Sequence, residues 1–207
     1  VYDSLKINDG FPFRVIDIGL NSILQRANLD LLALLDQFGM KSECLELEGR
    51  IQLTHYAIGN LWDQKLEGFF SLDEITDEPI QVSTSACFLP LFAGLATNEQ
   101  AAKIGSILEN WSEQGFHLVP STSPFHPKYE SQRYWRGPVW PHVNWMICEG
   151  LKNYGQDALA QKIREQTMDL ISKLGFHEYY HPHGKSGFGG ASFSWTAAVY
   201  LIWSNDA

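Results

Sequence analysis

The sequence reads as an all-α chain built from packed helical hairpins. Apolar residues recur at helical spacing through most of its 207 residues, and glycines or prolines interrupt that spacing at intervals. No linker, repeat or low-complexity run divides it, so residues 1–207 form a single domain in this reading.

The elements follow in order. A first helix is expected over residues 15–38, with Ile16, Leu20, Ile23, Leu24, Ala27, Leu31, Leu34, Leu35 and Phe38 on one period and Gly39 as the stop. A second, over 42–62, carries Leu45, Leu47, Ile51, Leu53, Tyr56, Ile58 and Leu61. Residues 68–82 are acidic and turn-like, with Asp73, Glu74, Asp77, Glu78 and Pro79, and suit a short hairpin. Residues 86–95 give a third helix, and Thr97-Asn98-Glu99 opens a fourth that runs to Trp111. A loop follows through Pro120, Pro124 and Pro127. Past Pro138 the helical pattern resumes as far as Leu151, stopping near Gly155. Residues 157–174 are amphipathic, with Leu159, Ile163, Met168, Leu170, Ile171 and Leu174, and close at Gly175. A glycine-rich loop leads to a last helix over 193–203, the seventh.

Composition excludes several functions. Lys and Arg number 15 against 24 Asp and Glu, a net charge of −9, and no basic run occurs, so a nucleic-acid surface is not expected. The longest apolar stretches, such as 31–35 and 197–203, fall far short of the ~20 residues that span a bilayer, and no membrane partner is expected. Cys44, Cys87 and Cys148 are odd in number and lack CxxC spacing, which argues against both a disulfide framework and a thiolate zinc site. Free thiols in a reducing, cytoplasmic compartment are the expectation. The sequence opens at Val1 with no initiator Met and no signal-like segment, and is read as trimmed or as a piece of a longer protein.

The aromatic residues point to a ligand. Seven Trp, eight Tyr and twelve Phe are unevenly placed, with Tyr134, Trp135, Trp140 and Trp145 crowded among Gly, Pro, Arg and His. Flat rings on loops suit sugars, whose C–H faces stack on aromatic faces. Arg133 and Arg136 bracket Tyr134-Trp135, and Gly137-Pro138 then turns the chain into a helix, whose free N–H groups favour oxygen-rich or anionic ligands. The same residues also suit a structural loop in which Arg136 lies on a Trp ring.

A second segment, residues 175–195, contains His177-Glu178-Tyr179-Tyr180-His181, which spells H-E-x-x-H. That zinc motif works on a helix, and here Pro182 follows directly while Gly175 precedes. Gly187 also occupies the place of the third histidine of the extended motif, so no metal is expected. What remains is Glu178, a carboxylate flanked by two Tyr and two His: a surface glutamate, or a general base. Glycoside hydrolysis typically uses two such carboxyls on opposite sides of the bond. No phosphate-binding loop or dinucleotide fingerprint is present, and no cofactor is expected.

These two segments resemble glycoside hydrolase family 63, and most nearly its bacterial branch of mannosylglycerate and glucosylglycerate hydrolases. The likeness lies in Tyr134-Trp135-Arg136-Gly137-Pro138-Val139-Trp140 with Asn144-Trp145 after it. It continues in Glu178-Tyr179-Tyr180-x-Pro182-x-Gly184 and in Phe193-Ser194-Trp195-Thr196-Ala197-Ala198. Asp17-x-x-x-Asn21, Leu61-Trp62-Asp63 and Phe88-Leu89-Pro90-Leu91 reinforce it by order, so it runs from about residue 15 to 203. The resemblance implies an (α/α)6 toroid and inverting hydrolysis of α-glycosides. It makes Glu178 the catalytic base and Tyr134, Trp135 and Trp140 the lining of the sugar pocket. Arg136 is added as structural or carboxylate-facing, and Tyr179 and His181 as neighbours that orient Glu178.

The family's general acid is an Asp upstream of the stretch that matches residues 15–21, and this chain has no counterpart. Seven helices also fall short of the twelve in a closed toroid. The chain is therefore expected to be about the C-terminal half of the toroid, inactive alone, with the N-terminal half as its partner. An exposed apolar face should mark where that half packs. An oligosaccharide or trehalose-type α-glucosidase, and a non-catalytic carbohydrate-binding module, are the alternative functions.

Overall fold

The computed structural model describes residues 13–205, and six α-helices carry most of them. They are α1 (Ile18–Gln37), α2 (Lys41–Gly59), α3 (Asn98–Glu113), α4 (Pro141–Asn153), α5 (Asp157–Leu174) and α6 (Ser194–Asn205). Helix α1 packs on α2, α4 packs on α5, and α6 leans on both members of the second pair. Helix starts follow the capping chemistry in the sequence. Asp17 Oδ1 accepts the Leu20 N–H at 2.6 Å to open α1, and Thr97 and Gln100 form a reciprocal capping box on α3. Gly175, at φ 89°, closes α5.

The third expected helix is not one. Only Ser85–Phe88 is helical, as a single 3-10 turn, and the residues to Gly94 continue as turns. Pro90 brings no N–H and disfavours helix at Leu89, while Gly94 sits at φ 67°. The segment is nonetheless core, with Leu91 fully buried. Helix α4 crosses it at backbone distance, since a Cβ on Gly150 would stand 2.6 Å from Phe92 N. Two boundaries also differ from expectation. Residues 15–16 are strand rather than helix, and α4 begins at Pro141, whose missing N–H is tolerated at the first helical position.

Short strands hold the loops. Strand β1 (Val15–Ile16) pairs with β4 (Leu72–Asp73), which pairs with β5 (Glu78–Pro79), and the acidic 68–82 stretch thus contains the expected hairpin. Strands β2 (Trp62–Asp63) and β3 (Gly68–Phe69) form a second hairpin, and β6 (Tyr179–Tyr180) and β7 (Gly187–Phe188) a third. Isolated bridges join Thr84 to Thr122, Pro120 to Val139, and Val139 to Tyr180, so four distant segments meet at one end of the helices.

The main core gathers around Ile18, Phe69, Phe88, Leu108, Ile147 and Trp203. Among the described residues no helix is long and apolar enough to cross a membrane. The α1–α2 pair keeps a large apolar surface, with Leu24, Leu34, Phe38, Leu45, Leu53 and Tyr56 each more than half exposed. Cys87 and Cys148 are buried and all three thiols are free.

Asn144 ties the site end to the core. Its fully buried amide accepts from Val119 N at 3.1 Å and donates to Leu118 O at 2.9 Å and Thr167 Oγ1 at 2.8 Å. Replacing it by Leu strands the Val119 N–H and the Leu118 carbonyl, each costing about 1–3 kcal/mol, while Thr167 Oγ1 keeps its bond to Ile163 O. The Asn144→Leu variant is expected to lose roughly 3 kcal/mol or more in denaturant unfolding. A loss within about 0.5 kcal/mol would contradict this account.

Candidate active site

The site exists because Val139 and Tyr180 exchange two backbone hydrogen bonds, each 2.9 Å. That bridge lays residues 134–140 beside residues 178–180. Alternation along β6 then sorts the side chains. Tyr180 is fully buried, its hydroxyl donating to Gly175 O and accepting the His177 N–H, while Tyr179 faces the other way, toward Tyr134 and Trp140.

Glu178 is half-buried and held from several directions. Its N–H donates to Phe188 O at 3.1 Å, and its carbonyl accepts the Trp195 Nε1–H at 3.4 Å. The Tyr134 hydroxyl donates to carboxylate Oε1 at 2.9 Å. Oε2 lies over Gly189, where a Cβ would approach to 2.2 Å, and Gly189 has φ 72°. Both space and backbone thus require glycine there. The hydrogen bond to Glu178 is the main cause of a raised Tyr134 pKa, which keeps the phenol protonated and donating.

Tyr134 occupies φ 33°, an uncommon region for a bulky residue, and the surrounding turn enforces it. Glu130 N donates to Arg136 O at 2.7 Å and Arg133 N donates to Glu130 O at 3.0 Å. The Arg136 guanidinium pairs with the Glu130 carboxylate. Trp140 Nε1 donates to Tyr134 O at 3.2 Å, Thr122 Oγ1 to Trp135 O at 2.9 Å, and Gly137 N to Ser121 Oγ at 3.0 Å.

Four rings form a continuous ladder. Trp135 stacks on Trp140 at 3.9 Å and 5°, Trp140 on Tyr179 at 4.8 Å and 23°, and Tyr179 on Phe188 at 5.6 Å and 28°. Tyr134 meets Trp140 and Tyr179 edge-on. Trp135 and Tyr134 are 46% and 47% exposed, open to a ligand, whereas Trp140 is 1% exposed. The expectation that Trp140 lines the pocket is corrected by its position: sandwiched between two rings, it backs the wall. Trp135 also lines a cavity of about 440 Å³ with Asp17, Thr84, Ser121, His142 and Met146.

Arg136 takes the structural one of its two expected roles, and His181 is engaged away from Glu178. Arg136 faces a carboxylate, that of Glu130, inside its own turn. His181 is 4% exposed and its Nδ1 accepts the His183 N–H at 3.1 Å, so its hydrogen bond does not orient Glu178; Tyr134 does that. The H-E-x-x-H residues run through a loop into β6 rather than along a helix, and no cluster able to hold a metal occurs among the described residues.

Sequence reasoning misses His142, Gly189 and Trp195 as site residues. Gly189 lies within a glycine-rich loop, and Trp195 lies in a motif that marks the family without stating a role. His142 carries no signal, because its role depends on rings distant in sequence. Its own ring centroid is 4.6 Å from that of Trp195 and 5.8 Å from that of Trp140, and its Nδ1 is buried without a hydrogen-bond partner. Burial pushes its pKa down to about 4.

A half-buried carboxylate held by a phenol thus lies beside a stacked aromatic wall, on helices that form part of an (α/α)6 toroid. The model of the mannosylglycerate hydrolase MGH1-like glycoside hydrolase domain matches residues 1–196, and the chain belongs to that family. It is 43% identical to the mannosylglycerate hydrolase of Thermus thermophilus, over 98% of this chain and 48% of that protein. It is 30% identical to the glucosylglycerate hydrolase of Mycolicibacterium hassiacum, over 68% of this chain and 33% of the relative. The crystal structure of a family 63 mannosylglycerate hydrolase from Thermus thermophilus in complex with Tris superposes with TM-score 0.94 at 43% identity. That match covers 98% of this chain and 49% of the other. A second structure of the same enzyme holds Tris and D-glycerate. The chain thus spans about half the length of the Thermus enzyme.

The His142 ring makes stability depend on pH. Unfolded, it binds a proton below about pH 6.5; in the fold it does so only near 4. The unfolded chain therefore holds more protons between those values, and this contribution to stability falls as pH drops from about 6.5 to 4. Wild type is expected to lose up to about 3 kcal/mol more than His142→Phe across that window, read by denaturant unfolding at each pH. Parallel curves for the two proteins would rule this out.

Proposed function

We propose that Glu178 is the general base of an inverting α-glycoside hydrolase acting on a small glycoside such as mannosylglycerate or glucosylglycerate. The Tyr134–Glu178 hydrogen bond beside the Trp135 face is the observation that carries this reading. Tyr134 engages Oε1, leaving Oε2 above Gly189, and a carboxylate so held keeps a fixed lone pair for water. In the reaction, the water oxygen attacks the anomeric carbon while Glu178 takes the water proton. The glycosidic C–O bond breaks, and a second carboxylic acid delivers its proton to the leaving oxygen.

That acid stands outside this chain, ~6.5–9.5 Å from Glu178, leaving room for the water. The apolar side of α1–α2 is the surface against which the rest of the toroid packs, in keeping with the half-length match to the Thermus enzyme. The names of the relatives support a sugar joined to glycerate as substrate. Trp135 suits the sugar face, by stacking.

The test uses the full-length protein. Glu178→Gln is expected to lower kcat by about 10²–10⁴-fold while KM moves less than a few-fold. Proton NMR of the first turnover should show the β-anomer released from an α-glycoside. Near-normal turnover by the variant, or release of the α-anomer, would overturn the assignment. Assays with mannosylglycerate, glucosylglycerate and trehalose then separate the substrates. Gly189→Ala should lower kcat by about tenfold or more with the fold retained, because the new Cβ displaces Oε2. Wild-type kinetics in that variant would show that the carboxylate position is not critical.

A further inference from the structure

His142 borders the cavity that Trp135 lines, yet its ring is engaged by the aromatic residues that hold the base. Two indole N–H groups anchor the base and its holder. Trp195 Nε1 donates to Glu178 O at 3.4 Å, and Trp140 Nε1 donates to Tyr134 O at 3.2 Å. The imidazole packs beside both of these indoles, tilted at 43° to Trp195 with centroids 4.6 Å apart, and perpendicular to Trp140 at 5.8 Å. The Trp140 and Trp195 rings themselves are 6.3 Å apart and inclined at 50°. Two indoles at such an angle leave a wedge-shaped gap that a flat five-membered ring fits. A further partner, Phe193, reaches Trp195 at 4.3 Å.

We propose that His142 is a positioning residue for the Tyr134–Glu178 pair, acting through Trp140 and Trp195. The inference rests on the reading of Glu178 as the base. The ring fixes the angle between the two indoles, and each indole fixes one backbone carbonyl of the pair. A rotation of either Trp shifts Glu178 relative to Tyr134 and opens the 2.9 Å contact between them. Packing, not hydrogen bonding, is the means, since Nδ1 has no partner. Burial also lowers the ring's pKa to about 4, so near neutral pH it packs against the two indoles as an uncharged ring.

Three variants of the full-length enzyme test this. His142→Phe keeps a flat ring, His142→Leu keeps the approximate volume without one, and His142→Ala removes both. Phe is expected to retain kcat within about threefold of wild type. Leu and Ala should lower kcat by about tenfold or more, with KM within threefold, because Trp135 keeps its stacking on Trp140. A second readout needs no turnover: crystal structures of wild type and His142→Leu. The Tyr134 Oη to Glu178 Oε1 distance should lengthen beyond 3.5 Å in the Leu variant. An unchanged 2.9 Å contact there, or Phe losing activity as fully as Leu, overturns the inference. Should the wild type hydrolyse no glycoside, the functional reading falls by itself, and the pair of structures still decides the role of His142.

Discussion

Everything at this site depends on two hydrogen bonds between Val139 and Tyr180. They are ordinary in strength, each contributing about 1 kcal/mol net. Their importance is geometric. Val139 precedes α4 by two residues and Tyr180 ends β6, so the bridge sets the start of a core helix against the hairpin that carries Glu178. Both residues are fully buried, and the second Val139 bridge, to Pro120, brings in the loop that Asn144 holds. Buried backbone polar groups must find partners, and here the requirement itself registers the two halves of the site.

The turn that presents Tyr134 shows how strain is carried. A tyrosine at φ 33° costs on the order of 1–3 kcal/mol. The Glu130–Arg136 pair and the bonds to the Trp135 and Tyr134 carbonyls hold it there. In return the phenol reaches across 44 positions of sequence to Glu178. The arginine in this motif looks, by residue type, like an anion binder. Its partner in the fold is a carboxylate of the same turn, and the pair keeps that turn closed.

Burial divides the aromatic residues by task. Stacked rings of similar chemistry stand at 1% exposure for Trp140 and 46% for Trp135. A ring must be open on one face to stack on a sugar, and closed on both to transmit position. Trp135 meets the first condition, and Trp140 meets the second. The ladder from Trp135 to Phe188 is therefore a wall open at Trp135, with the covered Trp140 behind it.

Much of this protein is legible in the residues alone. Periodicity and capping locate the six long helices, because a helix is a local structure and its signals lie within a turn or two of its ends. Glu178, Tyr134 and Trp135 stand out through residue type and motif. Local sequence does not show that 86–95 forms turns within the core, where Pro90 and close packing against Gly150 outweigh an apolar run. Nor does it show that Trp140 is covered, that Arg136 serves its own turn, or that His142 and Gly189 belong to the site. Those outcomes depend on segments brought together from far apart in the chain. A residue's type states what chemistry it can perform, but its neighbours across the fold decide whether it faces a ligand, and only long-range packing supplies those neighbours.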